Sequence, residues 1–332
     1  MATYKENHGT NIETVTSDPS NPVNGQVWYN STDQALKGFT SNPAGTFSSG
    51  GSMNTSRYYH AGFGESNNAA FAVSGQTSPG GPNTNTETYN GSSWTEVANL
   101  NTARQQHSGA GTTTSGIIYG GMEPDGGGGA TPTTKTESYN GSAWTEVADI
   151  NSPVRFHGSS GSSNTSALKF GGSTPNPSVD SATTETWNGS SWTEVNDLNN
   201  ARSFVAGGAI GTQTAGLCGP GYSYSAGAPA LNTEIWNGST WTESGDSSTG
   251  GTGRFGLYDN AVKVTGTTCE TWNGSTWSSG TNANNNITSR SGGGTASSGM
   301  VFGGEPPADG NSLTTSEEYI SPTTNTVTFT VS

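Results

Sequence analysis

The sequence predicts an all-β protein, a β-propeller of six blades preceded by a short β-hairpin extension. Three observations carry that expectation. The phrase TETYNGSSWTEV (86–97) returns, little altered, as TESYNGSAWTEV, TETWNGSSWTEV, TEIWNGSTWTES and CETWNGSTWSSG. Its glutamates, Glu87, Glu137, Glu185, Glu234, Glu270 and a weaker sixth, Glu317 in TTSEEYIS, are spaced 50, 48, 49, 36 and 47 residues apart. Each period holds several short β-rich segments, and such a period near 50 residues marks a propeller blade rather than a helical solenoid.

Each period divides into four strands. In the unit that starts at Arg104, RQQHSGAG reads as a small-residue inner strand and SGIIYGG as an apolar second strand ending in a glycine pair. KTESYN and SAWTEV follow as the third and fourth strands, with NGS between them as a tight-turn signal, since Asn and Gly tolerate positive φ. Fifty glycines, 28% apolar and 11% charged residues would by themselves suggest low complexity. Nine Trp, eleven Tyr and ten Phe at regular intervals argue for order, because large rings supply the buried area that sparse aliphatics cannot.

The arginines give an independent count. The chain has six, Arg57, Arg104, Arg155, Arg202, Arg254 and Arg290, each 10 to 13 residues after an outer-strand aromatic (Phe47, Trp94, Trp144, Trp192, Trp241 or Trp277). One arginine per blade reads as scaffold: a planar fork holding the loop that leads into the blade, through carbonyls or the recurrent Glu.

The order R-x-x-H (Arg57/His60, Arg104/His107), then YGG or FGG (Gly120–Gly121, Gly171–Gly172, Gly303–Gly304), then E-x-Y/W and a Trp resembles the kelch repeat over about residues 47 to 320. The resemblance implies a six-bladed kelch-like propeller, set here at residues 47–332, behind an extension at 1–46. In that extension, DPSNPVNGQVWYNSTDQALKGF (18–39) reads as a Pro-rich lead and a hairpin. It resembles segments near the start of structural proteins of marine tailed phages, where kelch-like LNTAR repeats also occur. That likeness implies a virion component, made in the host cytoplasm and held by other virion proteins, with the extension as the attachment.

Composition excludes several function classes. A net charge of −14 leaves no Lys/Arg cluster for a phosphate backbone, so no nucleic acid is expected as partner. No run of ~18 apolar residues exists for membrane insertion, MATYKENHGT lacks the charged and apolar regions of a signal peptide, and two cysteines cannot build a disulfide framework. His60, His107 and His157 fall on successive inner strands, but later blades put Val205, Leu257 and Gly293 there, so they read as packing and no metal or cofactor is expected. Cys218 and Cys269 read as small buried residues. No GxSxG elbow or phosphate loop appears, and the arginines are all committed to the repeat. The chain is not expected to be an enzyme.

What varies between blades points to function. Loops between second and third strands differ in length and chemistry, are nearly absent in blade five, and emerge on one face, and binding sites sit in variable loops on rigid scaffolds. That face offers Glu123, Asp125, Glu305 and Asp309 as carboxylates, with Asp180 beside them, and Tyr222 and Tyr224 as exposed aromatics flanking a notch left by blade five. The expected function is a tail, fibre or appendage protein presenting this face to host-surface polysaccharide. The alternatives are an architectural or capsid-decorating protein without ligand and, last, a kelch-type enzyme. The alternating NTVTFTVS, with Val327, Phe329 and Val331, reads as a half-buried strand, and GTFSSGGSMNTSR (45–57) aligns with the outer strand that leads into each later blade, so both ends are expected to meet at the sixth blade.

Overall fold

The computed structural model describes residues 12–20, 22–23, 25–42, 45–175, 178–205, 208–308, 310–321 and 323–329. The chain divides into two compact units, residues 1–45 with 321–332, and residues 46–320.

The second unit is a β-propeller. Its periods fold into six four-stranded antiparallel sheets. The second repeat shows the pattern, with Ser108–Thr112, Ser115–Tyr119, Thr136–Tyr139 and Trp144–Val147 hydrogen-bonded in chain order. The first strands (Ala61–Ser66, Ser108–Thr112, Gly158–Ser163, Gly211–Thr212, Gly253–Leu257, Ser291–Thr295) each touch the next, and the last touches the first, which closes a ring around a central axis. Small side chains on these strands allow that approach. In each outer hairpin the Asn side chain accepts from two amides of its own turn, as Asn90 Oδ1 does from Ser92 N (3.0 Å) and Ser93 N (2.9 Å), with Gly91 at φ 91°.

The apolar core lies between blades. Among the described residues six clusters of buried side chains occur, each shared by two neighbouring sheets; Phe63, Phe71 and Val73 of the first blade, for example, meet Ile118, Tyr139 and Trp144 of the second. The recurrent Trp reaches back to the blade before it. Trp192 stacks edge-on against Tyr119 at 4.7 Å and donates from Nε1 to Thr136 Oγ1 at 3.2 Å, and Trp241 repeats both contacts on Phe170 and Thr184. The glycine pair makes room for the following blade: a Cβ on Gly120 would lie 2.9 Å from His157 Cε1, and Gly120 is at φ 61°.

Ring closure uses one end of the chain rather than both. The fourth strand of the sixth sheet is Thr46–Ser49, paired with Ser316–Ile320 in the register Tyr319↔Phe47. The C-terminal strand Thr323–Phe329 instead pairs with Ala35–Asn42 in the first unit, so residues 321–332 do not belong to the propeller. An alternating pattern specifies a half-buried strand but not its sheet; here the sixth sheet was already filled by the strand that precedes the first repeat. Val331 lies outside the described residues.

The first unit is more than a hairpin. Its sheet runs Glu13–Val15, Val27–Asn30, Ala35–Asn42, Thr323–Phe329, the first pair parallel and the others antiparallel. Asp18 organises it by accepting from Trp28 Nε1 (3.0 Å), Asn30 Nδ2 (2.8 Å) and Lys37 Nζ (2.8 Å). Those bonds, Lys37 first, pull the Asp18 carboxyl down to about 2. The segment DPSNPVNGQVWYN thus supplies Asp18 and two of its three donors, the third, Lys37, coming from the next strand.

Candidate binding face at the axis mouth

Each blade is led in by a loop that its own glutamate holds. Glu137 accepts from Asn101 N and Nδ2 (both 2.8 Å), Thr102 N (3.3 Å) and Arg104 Nη2 (2.8 Å), all buried or partly buried. Glu87 with Asn54 and Arg57, and Glu234 with Asn199 and Arg202, repeat this arrangement. In the third blade Glu185 pairs with Lys169 (3.2 Å), in the fifth Glu270 pairs with Lys263, and in the sixth Glu317 pairs with Arg290 (2.8 Å). Every recurrent glutamate therefore has one buried cation.

The six arginines are not equivalent, which corrects the reading of one scaffold arginine per blade. Counted from the loop residue that caps each glutamate (Asn54, Asn101, Asn151, Asn199, Ser247, Asn284), the third position is Arg57, Arg104, Val154, Arg202, Gly250 and Ile287. Arg155 lies one place beyond its blade's site and reaches Gln106 Oε1 at 3.4 Å and the Phe156 ring at 5.6 Å. Arg290 stands at the histidine position. Arg254 lies on an inner strand, where it donates to the carbonyls of Val205 (2.8 Å), Pro220 and Gly251. Lysines on second strands, Lys169 and Lys263, supply the charge in the two blades whose arginines are elsewhere.

The sixth position in that count holds His60, His107, His157, Val205, Gly253 and Arg290, which replaces Leu257 and Gly293 as the equivalents of histidine. Two of the imidazoles lie against aromatic rings of the preceding blade, His60 tilted on Phe302 at 5.5 Å and His157 stacked on Tyr119 at 5.3 Å. Burial pushes His60 and His107 well below the ordinary imidazole value of 6.5 and His157 to about 3. All three stay neutral in the fold, while the unfolded chain takes up their protons as the pH drops through 6.5. Their contribution to stability is thus complete above 6.5 and drains towards pH 3, by up to about 1.4 kcal/mol per pH unit for each histidine. Urea melts at pH 7, 6 and 5 should show stability falling with a slope that steepens towards three protons. His157→Val, which copies the fourth blade, should remove about one of them. An unchanged stability from pH 7 to 5 would contradict this account.

The fifth position is the one sequence reasoning missed. It holds Tyr59, Gln106, Phe156, Phe204, Thr252 and Ser289, and five of the six are non-glycine residues at φ between 52° and 59°, Thr252 being the exception. That uncommon conformation turns each backbone into its neighbour. Gln106 N donates to Tyr59 O (2.8 Å), Phe156 N to Gln106 O (2.8 Å), Val205 N to Phe156 O (3.2 Å) and Tyr59 N to Ser289 O (3.4 Å). The Arg254 guanidinium extends this collar on the fifth-blade side through its bond to Val205 O. All six side chains line the mouth of the axis, around a void of about 20 Å³, room for one water. The signal available in sequence was the count from Asn54 and its counterparts, which puts these six residues in one register.

Rings run without interruption across the mouth. Tyr58 touches Tyr59 (4.8 Å between centroids), Tyr59 touches Phe156 (5.2 Å), and Phe156 stacks on Phe204 (3.9 Å, 20°). Phe204 then meets Tyr222 (6.1 Å) and Tyr224 (6.2 Å), which contact each other at 5.4 Å. Beside this wall lies a cleft of about 420 Å³, bounded by Phe204, Tyr222, Tyr224 and Pro229 on one side and by Gly250, Gly251 and Thr252 on the other. The cleft opens where the fifth blade has only a turn between Asn260–Thr265 and Thr268–Trp272.

The loops of the first four blades are themselves hairpins: Gln76–Thr77 with Gly81–Pro82, Met122–Pro124 with Ala130–Pro132, Ser173–Pro175 with Ser178–Asp180, and Gly221–Ser223 with Ala228–Ala230. This order disperses the expected carboxylate set. Asp125 Oδ1 accepts from Gly127 N (2.8 Å) and Gly129 N (2.9 Å) within its own turn, and Glu123 faces Lys135 at 3.3 Å. Asp180 accepts from Tyr224 N at 2.6 Å and so fixes the neighbouring hairpin. Tyr222 and Tyr224 are half-buried rather than exposed, because Phe204 and their own hairpin pack against them. Glu305 sits across the mouth, accepting from Ser289 Oγ at 2.8 Å, and burial, then its charge, pushes the Tyr58 phenol up. Asp309 lies outside the described residues. Among the described residues no three His, Cys, Asp or Glu side chains are grouped to hold a metal ion, and no helix is long and apolar enough to cross a membrane.

No protein-family model matches the chain, and neither does any curated protein. Among solved structures the chain is similar to YjhT, with a TM-score of 0.68 and 13% identity over 82% of this chain and 99% of that one. At that identity the likeness shows the fold alone, a β-propeller.

Proposed function

We propose that this chain is a kelch-like recognition propeller of a tailed-phage particle, which presents its axis mouth to polysaccharide on the host surface. The cleft between the Tyr222/Tyr224 hairpin and Gly250–Thr252 carries this reading. A sugar ring has an apolar C–H face and a rim of hydroxyls, and an aromatic wall in a concave site with a few polar groups suits both. Within the repeat, the fork, histidine, glycine pair, glutamate and tryptophan all serve blade packing, which leaves the mouth residues free to vary. The first unit suits attachment to other virion proteins, since Val23, Val27, Tyr29 and Phe329 are exposed there.

Single contacts of this kind are weak, and attachment would rest on many copies acting together. Beads displaying the wild-type protein should therefore capture cells of a marine bacterial host. Tyr222→Ala with Tyr224→Ala should reduce capture at least several-fold at equal amounts of folded protein, the lost ring contacts with Phe204 lowering the melting temperature without unfolding the ring. Equal capture by both proteins, or by neither, would replace this reading with that of an architectural or decorating protein.

A further inference from the structure

Resting on the saccharide reading, we infer that the site extends past the cleft over the axis mouth, and that its ligand is a neutral oligosaccharide chain of at least two rings. The cleft and the mouth are not separate features, because Phe204 and Thr252 line both. One sugar ring against Tyr222 and Tyr224 leaves the half-buried Phe204 and Tyr59 uncovered, with Phe156 buried between them. Tyr59 and Phe204 are joined through the buried Phe156, so a track with apolar ring surface at both ends of the mouth is offered for successive C–H faces.

The far end of this track has the polar groups that a second ring requires. Ser289, Thr252 and Gln106 line the mouth, and Glu305 stands behind Ser289 as a hydrogen-bond acceptor. Burial holds the Tyr59 phenol in its protonated form, able to donate. The neutral character of the ligand follows from charge. Among the described residues, the Arg290 guanidinium is taken by Glu317, Ile287 O, Gly266 O and Asn285 O, and Arg155 is held against Gln106 Oε1 (3.4 Å) and the Phe156 ring (5.6 Å), while Glu305 and the net charge of −14 repel an anionic ring.

The test is a calorimetric titration of the full chain with malto-, cello- and laminari-oligosaccharides of one to four units. At least one series should bind with a dissociation constant that falls tenfold or more between the single sugar and the trisaccharide. Tyr59→Ala should bring that ratio near one, and Tyr59→Phe should keep most of it. Tyr222→Ala with Tyr224→Ala should weaken every length. If affinity is independent of length while still depending on Tyr222 and Tyr224, the extended track is wrong and the saccharide reading stands. If no neutral series binds while beads still capture cells through Tyr222 and Tyr224, the neutral chain is wrong. Loss of both kinds of binding overturns the two together.

Discussion

Deleting residues 1–49 should abolish cooperative unfolding of the propeller, whereas deleting 321–332 should leave its transition in place. The first deletion removes Thr46–Ser49 and exposes the whole edge of Ser316–Ile320. It also removes Phe47, which packs on Tyr319 at 4.9 Å within the core shared by the fifth and sixth blades. An unpaired edge next to an opened apolar core is an invitation to aggregate. The second deletion takes a strand from the first unit only, where it pairs with Ala35–Asn42. Near-UV circular dichroism and thermal melts of the two truncations decide the matter. A sharp, unshifted transition in the 1–49 deletion would show that the outer strand is dispensable for closure.

Glu137→Ala should cost about 3–5 kcal/mol, the usual penalty for leaving one partner of a buried ion pair uncompensated. Arg104 would lose its carboxylate, and the amides of Asn101 and Thr102 would lose their acceptor. Arg104→Val should be comparably damaging. The third blade shows how to repair it, since Val154 stands at the arginine position and Lys169 supplies the charge from a site directly opposite Glu185. Ile118 is opposite Glu137 in the same register. Arg104→Val with Ile118→Lys should therefore recover a substantial part of the stability lost in Arg104→Val alone, as read by denaturant midpoints. If the double variant is no more stable than the sum of its parts, the position of the cation matters more than its charge.

The blade plan was legible because its causes are local and repeated. Asn-Gly turns, a terminal glycine pair and a Trp at fixed spacing each have one structural job, and each recurs. Ring closure was not legible, since Thr46–Ser49 and Thr323–Phe329 are both short polar-apolar strands and only long-range pairing distinguishes them. The arginines misled for a different reason. Arg residues are rare and conspicuous in this chain, but the repeated requirement is a buried positive charge facing Glu, which Lys169 and Lys263 meet from another strand. Counting from Asn101 and its counterparts, rather than from Arg104, would have exposed the shift. The same count brings out the mouth residues, whereas nothing in the spacing of the loop carboxylates foretells that Asp125 accepts from its own turn and Asp180 from the neighbouring hairpin.

The hydrogen-bonded collar has a consequence for how this surface changes over time. Apart from the Arg254 guanidinium, its links run between backbone atoms, so the side chains of Tyr59, Gln106, Phe156, Phe204, Thr252 and Ser289 take no part in holding it together through those bonds. Six codons, scattered across more than two hundred residues of the gene, therefore converge on one small patch of chemistry. A lineage under pressure to meet a new surface can sample that patch by point substitution, one blade at a time, without renegotiating how the ring is assembled.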